Sequence, residues 1–166
     1  DEIGDNLQNG EVEIQGENLY VSAGWVDLRS HLTDPGLEHK DTLNSLLDTA
    51  AAGGYTAIVS LPDTEPQIAD KSGVKYLLTT ANGHLVDLLP CGVISRMGNT
   101  ENLAELYDMH ISGAAAFTNA DAYLSNGLLK KALLYTKSFG AKIVTRPSDK
   151  SLENGGMVNE SATTLH

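Results

Sequence analysis

Basic residues are scarce in this chain. Its 166 residues carry 11 Lys and Arg against 22 Asp and Glu, a formal net charge of -11. Nucleic acid and anionic membrane both require basic surface, so neither is expected as a partner. An acidic balance also simply keeps a protein dissolved, so the charge identifies no partner by itself. Cysteine occurs once, at Cys91, which excludes an intrachain disulfide. Cys91 lies in the apolar run Leu88–Ile94 and reads as a small buried residue rather than a nucleophile. No apolar run approaches the roughly 20 residues of a membrane span, and no signal-peptide pattern is present at the start. A cytoplasmic protein is expected. No spacing suggests a Ser-His-Asp or Cys-His arrangement.

What is present is an ordinary globular composition, 41% hydrophobic and 20% charged, on a chain long enough for one substantial core. Glu11–Ile14 alternates like a short half-buried strand. Strand and helix patterns then take turns. Strands are expected at Tyr20–Leu28, Thr56–Leu61, Leu85–Ser95, Ile111–Thr118 and Ala141–Thr145. Helices are expected at Thr42–Ala52, Lys71–Thr80, Thr100–Met109 and Leu128–Ser138. Gly53-Gly54 and Gly140 stop two of them. Such alternation indicates an α/β fold with a parallel sheet. Five strand–helix steps fall short of a closed (β/α)₈ barrel, which needs eight strands and about 250 residues. An open doubly wound sheet and a partial barrel both fit the pattern. The first turn after a strand lacks Gly-x-Gly-x-x-Gly, so a dinucleotide fold has no positive support.

Chemistry in parallel α/β folds collects at the carboxyl ends of strands. Those ends carry Arg29, His31, Thr33 and Asp34; then Pro62-Asp63-Thr64-Glu65-Pro66; then Thr118-Asn119-Ala120-Asp121; and last Arg146-Pro147-Ser148-Asp149. A hydrolytic metal site needs several His or carboxylate ligands converging. Of 5 histidines, only His31 stands at a strand end.

The stretch Val26-Asp27-Leu28-Arg29-Ser30-His31-Leu32-Thr33-Asp34-Pro35-Gly36 resembles the metal-binding opening of the dihydroorotase branch of the amidohydrolase superfamily, Asp-x-His-x-His-Leu-Arg-x-Pro-Gly. Four further segments resemble that family in its order. They are Ala50-Ala51-Ala52-Gly53-Gly54-Tyr55-Thr56, Leu61-Pro62-Asp63-Thr64-Glu65-Pro66, Gly113–Thr118 and Gly155-Gly156-Met157-Val158-Asn159-Glu160. The resemblance runs from Val21 to Leu165 and implies a (β/α)₈ barrel beside a small β-sandwich. Residues 1–19 would then end a sandwich segment, and residues 20–166 would form the first five strand–helix units of a longer chain.

The resemblance implies a zinc site, and the substitutions argue against its survival. His31 keeps one ligand position, whereas Arg29, Asn119 and Arg146 stand at three others. A guanidinium stays charged and has no lone pair for a metal, and a neutral amide is a weak ligand. Asp121 could supply a carboxylate if the alignment shifted by two. The substrate carboxylate would be held at Thr33, where the family has arginine, and at Asp63, where it has asparagine. No catalytic residue is assigned, and no bound zinc is expected. Arg29 and Arg146 should share one cavity and pair with Asp63 or Asp149. The leading expectation is an inactive dihydroorotase-like protein of pyrimidine biosynthesis. It would have a structural role beside aspartate carbamoyltransferase and would self-associate. An active cyclic amide hydrolase with a divergent or externally completed site, and a small-anion binding module, stay open.

Overall fold

A computed structural model describes residues 16–96 and 101–146. The expected strand at Glu11–Ile14, the Gly155–Glu160 segment and Asp149 lie outside them. Four strands, β1 (Trp25–Ser30), β2 (Tyr55–Ser60), β3 (Asp87–Gly92) and β4 (Ala116–Phe117), alternate with helices α1 (Leu43–Ala52), α2 (Lys71–Thr80), α3 (Leu106–Ile111) and α4 (Asn126–Lys137).

All neighbouring strands pair in parallel, in the order β1-β2-β3-β4, and Phe117 bridges onward to Ile143. This order decides between the two architectures open to the sequence. A doubly wound sheet reverses direction at a switch point, whereas a barrel arc adds each strand beside the last. Here the winding never reverses. Right-handed crossovers then put all four helices on one face. The buried core follows that layout: Leu43 and Leu47 of α1, Val74 and Leu77 of α2, and Leu106 and Met109 of α3 join Ile58 of β2 and Leu88 of β3. Strand residues one step out of phase, such as Val59 and its register partner Leu89, point to the opposite, concave face.

The helices start where side chains can cap them. Thr42 accepts from the Ser45 amide at the head of α1, Asp70 from Ser72 and Gly73 at α2, and Ser125 from Leu128 at α4. Helix α3 differs from the expected Thr100–Met109. The Ala104 amide bonds to the Ile94 carbonyl at 2.8 Å, which draws residues 103–104 toward the segment after β3. The helix then begins only at Leu106, behind Glu105, which makes no side-chain cap.

Four strands are also shorter than their apolar runs; β3 keeps only Asp87–Gly92 of the expected Leu85–Ser95. Tyr20–Gly24 precedes the point where β2 offers a partner, since the ladder opens at Trp25 opposite Tyr55. Ile111 is the last residue of α3, and the turn through Gly113 (φ +107°) uses up the next residues, leaving two for β4. The expected fifth strand reduces to a bridge. Phe117 donates to the Lys142 carbonyl and accepts from the Val144 amide, each at 2.9 Å, and so short a β4 offers little more edge.

Candidate functional site at the carboxyl ends of the strands

The carboxyl ends of the strands surround a cavity of about 430 Å³. Its apolar wall comes from Leu28, Val59, Leu61, Cys91 and Val144. Its polar groups are Arg29, Thr118, Asp121, Thr145 and Arg146. Arg29 and Arg146 therefore line one cavity, from opposite ends of the arc.

The partner of Arg29 differs from the expected ones. The Arg29 guanidinium donates to Asp121 at 2.6 Å, and not to Asp63. Asp63 instead holds His31, Nδ1 to Oδ2 at 2.5 Å. Two local devices produce the first pairing. Asp27 accepts from the Arg29 amide at 2.8 Å and from the Ser30 hydroxyl at 2.7 Å, which fixes the end of β1. On the far side, Ala120 takes the left-handed conformation (φ 50°), and its amide bonds to the Thr118 hydroxyl at 3.1 Å. That kink brings Asp121 to Arg29. For Arg146, no carboxylate partner occurs among the described residues.

Asn119 is engaged away from the cavity. Its Oδ1 accepts from the Ile94 and Ser95 amides at 2.9 and 3.1 Å, and its Nδ2 donates to the Ser95 hydroxyl at 3.0 Å. An ionised carboxylate has no proton to make the last bond. Asn119 therefore ties the end of β4 to the segment after β3. Thr33 donates its hydroxyl to the Asp41 carbonyl at 2.6 Å, inside its own loop. Asp63 lines a smaller depression of about 160 Å³, which shares Ala120 and Asp121 with the main cavity. Thr33 lines neither of these two cavities.

Loop order around the mouth depends on Asp34 and Gly36. The buried Asp34 carboxylate accepts from the Leu43 amide at 3.1 Å and from the Tyr76 hydroxyl at 2.7 Å, joining the loop after β1 to α1 and α2. The hydrogen bond to Asp34 is the main cause that raises the Tyr76 phenol above its ordinary value, with burial second. Gly36 sits at φ +102°, and a Cβ there would lie 1.7 Å from the Glu65 carbonyl oxygen. The Glu65 amide also donates to Pro35 at 3.1 Å, so the first two loops are zipped together.

The residues at the mouth do not fit the zinc site that the resemblance implies. Among the described residues, no three His, Cys, Asp or Glu side chains converge. Cys91 lines the cavity, but burial pushes its thiol up to about 11, which keeps it protonated near neutral pH. Sequence reasoning named Asp121 only as a substitute ligand, placed Thr118 at a strand end without a role, and did not single out Thr145. The signal of these two threonines lay in their position as the last residues of the expected strands, beside the residues chosen.

Comparison with known proteins fits this frame. The family model described as dihydro-orotase-like matches residues 19–164. A dihydroorotase of Citrifermentans bemidjiense is 33% identical over 96% of the chain, and one of Syntrophotalea carbinolica is 36% identical over 96%. The chain spans 38% of the length of each. Among solved structures, an L-hydantoinase (dihydropyrimidinase) from Arthrobacter aurescens superposes with a TM-score of 0.62 at 24% identity, covering 81% of this chain and 33% of the other. That likeness bears on the fold, a (β/α)₈ barrel of which these strands form an arc. A sheet that winds without reversal, polar groups gathered at its carboxyl ends and a match over nearly its whole length make this chain a member of the dihydroorotase-like family.

Proposed function

We propose that this protein is a dihydroorotase-like member of pyrimidine biosynthesis that does not turn over dihydroorotate and acts as a structural partner of aspartate carbamoyltransferase. The observation that carries this reading is the Arg29–Asp121 ion pair at the cavity mouth. A guanidinium stands where the resemblance puts the first metal ligand, and it occupies the nearest carboxylate. A strong nucleophile near neutral pH would require a metal-bound hydroxide, and Arg29, Asn119 and Arg146 supply no ligand for one. Substrate anchoring is weakened too. Thr33 bonds within its own loop, and Asp63 would repel an anionic substrate. On this reading the protein is cytoplasmic and self-associates as well as binding the transcarbamoylase.

The test uses the protein at its natural length, purified without chelator. Elemental analysis should give well under one zinc per chain, and dihydroorotate should be neither hydrolysed nor formed above a metal-free blank. Aspartate carbamoyltransferase of the same cell should co-elute with it. One or two tightly held zincs with turnover would overturn the inactive reading in favour of an active cyclic amide hydrolase completed by residues outside the described ones. Failure to co-elute would remove the structural role alone.

A further inference from the structure

A scaffold needs no ligand, yet the cavity has the makings of a binding site. Two guanidiniums and one carboxylate line it, and only Arg29 has a carboxylate partner among the described residues. Among the described residues the local balance is one positive charge, in a chain whose formal net charge is -11. A second group points the same way. Thr118 lines the cavity at 3% exposure. Its hydroxyl oxygen accepts from the Ala120 amide at 3.1 Å, and its O–H proton has no acceptor among the described residues. A buried donor without an acceptor carries a desolvation penalty that a bound oxygen would relieve. The rest of the wall is apolar, through Leu28, Val59, Leu61 and Val144.

From these groups we propose that the cavity binds a small monocarboxylate with a compact apolar body, its carboxylate on Arg146 and Thr118 and its body against Leu28, Val59 and Val144. Inorganic phosphate would satisfy the charge and leave the apolar wall unmatched. A neutral amide of the same shape would match the wall and leave Arg146 uncompensated. Asp121 has a definite part in this arrangement. By occupying Arg29 it holds the site to one charge, so it sets selectivity for a monoanion over a dianion.

The test is calorimetry and thermal shift on the protein at its natural length, with benzoate, cyclohexanecarboxylate, benzamide and inorganic phosphate as probes. Either carboxylate should raise Tm, and benzamide and phosphate should do so much less. Arg146→Gln should weaken benzoate by about tenfold or more, the loss of one charge-assisted hydrogen bond. Thr118→Val, close to isosteric, should weaken it by about fivefold. Asp121→Asn should tighten it by releasing Arg29, a gain that damage to the fold could not produce. Equal binding of benzoate to Arg146→Gln and the parent overturns the proposal, as does phosphate binding that matches benzoate. Weaker benzoate binding in Asp121→Asn would also overturn it, because the pair would then be part of the anion's support.

Discussion

The side chains of Arg29 and Asp121 are 55% and 58% exposed, so their ion pair stands in water. That fixes its energetic worth. An exposed pair is screened and contributes about 0–1 kcal/mol, whereas breaking a buried one costs about 3–5 kcal/mol. Arg29→Ala should therefore lower the unfolding free energy by less than about 1 kcal/mol in urea titration. A larger loss would mean that the pair is shielded by chain beyond the described residues. Gly36 is the opposite case. Gly36→Ala forces a side chain into a left-handed φ and against the Glu65 carbonyl, and should cost about 2–4 kcal/mol by the same measurement. Residue identities made the arginines legible, because a guanidinium in a ligand position is visible in one letter. The pairing was not legible. It depends on the φ of Ala120, which turns Asp121 rather than its neighbour toward Arg29, and an alanine letter carries no sign of a left-handed backbone.

Among the elements, α2 matched its sequence bounds, Lys71–Thr80, because everything that defines it is local. Asp70 caps it, and its apolar residues recur at helical spacing. Asp70→Ala should remove both cap bonds and cost about 1 kcal/mol. Its tie to the mouth is the Tyr76–Asp34 hydrogen bond, which makes stability depend on pH at the alkaline end. The phenol is raised in the folded state, so the native protein holds that proton more tightly than the unfolded chain does. The resulting stability is complete below the unfolded value of about 10 and disappears as pH climbs through the higher folded value. Tyr76→Phe should flatten the loss of stability above pH 10 measured by denaturant titration, and leave the neutral region without a slope from this group. The elements misjudged from sequence, α3, β4 and the fifth strand, all depend on partners distant in the chain. Apolar letters could not show that Ala104 is claimed by Ile94, or that β4 has only two residues of edge to lend.

At the scale of the whole molecule, the described arc leaves its first strand open on one side. Trp25, Val26 and Leu28 of β1 are 64%, 52% and 75% exposed, and the β1 edge away from β2 has no strand partner among the described residues. Unpaired edges and apolar patches of this kind attract other chains. A polypeptide limited to these 166 residues should bind an apolar fluorescent dye and elute from size exclusion as more than a monomer. Leu28→Lys should reduce both signals, and an unchanged dye signal would move the sticky surface elsewhere. The architecture itself was legible because alternating strands and helices permit few parallel folds. Alternation alone left barrel and open sheet both possible; the family resemblance pointed to the barrel, and the strand order bears it out.

That order also has a consequence in time. Each strand after β1 pairs with the one made just before it, so the edge it docks on lies upstream in the chain. Synthesis proceeds at about 5–20 residues per second, while a helix forms within about a microsecond and a short loop closes faster still. Each new strand after the first thus leaves the ribosome with its docking edge already built. A fold with a switch point must keep one edge waiting, exposed, until a later strand arrives to cover it. Here one waiting edge is always the newest, with its partner next in line, and the other is the outer edge of β1.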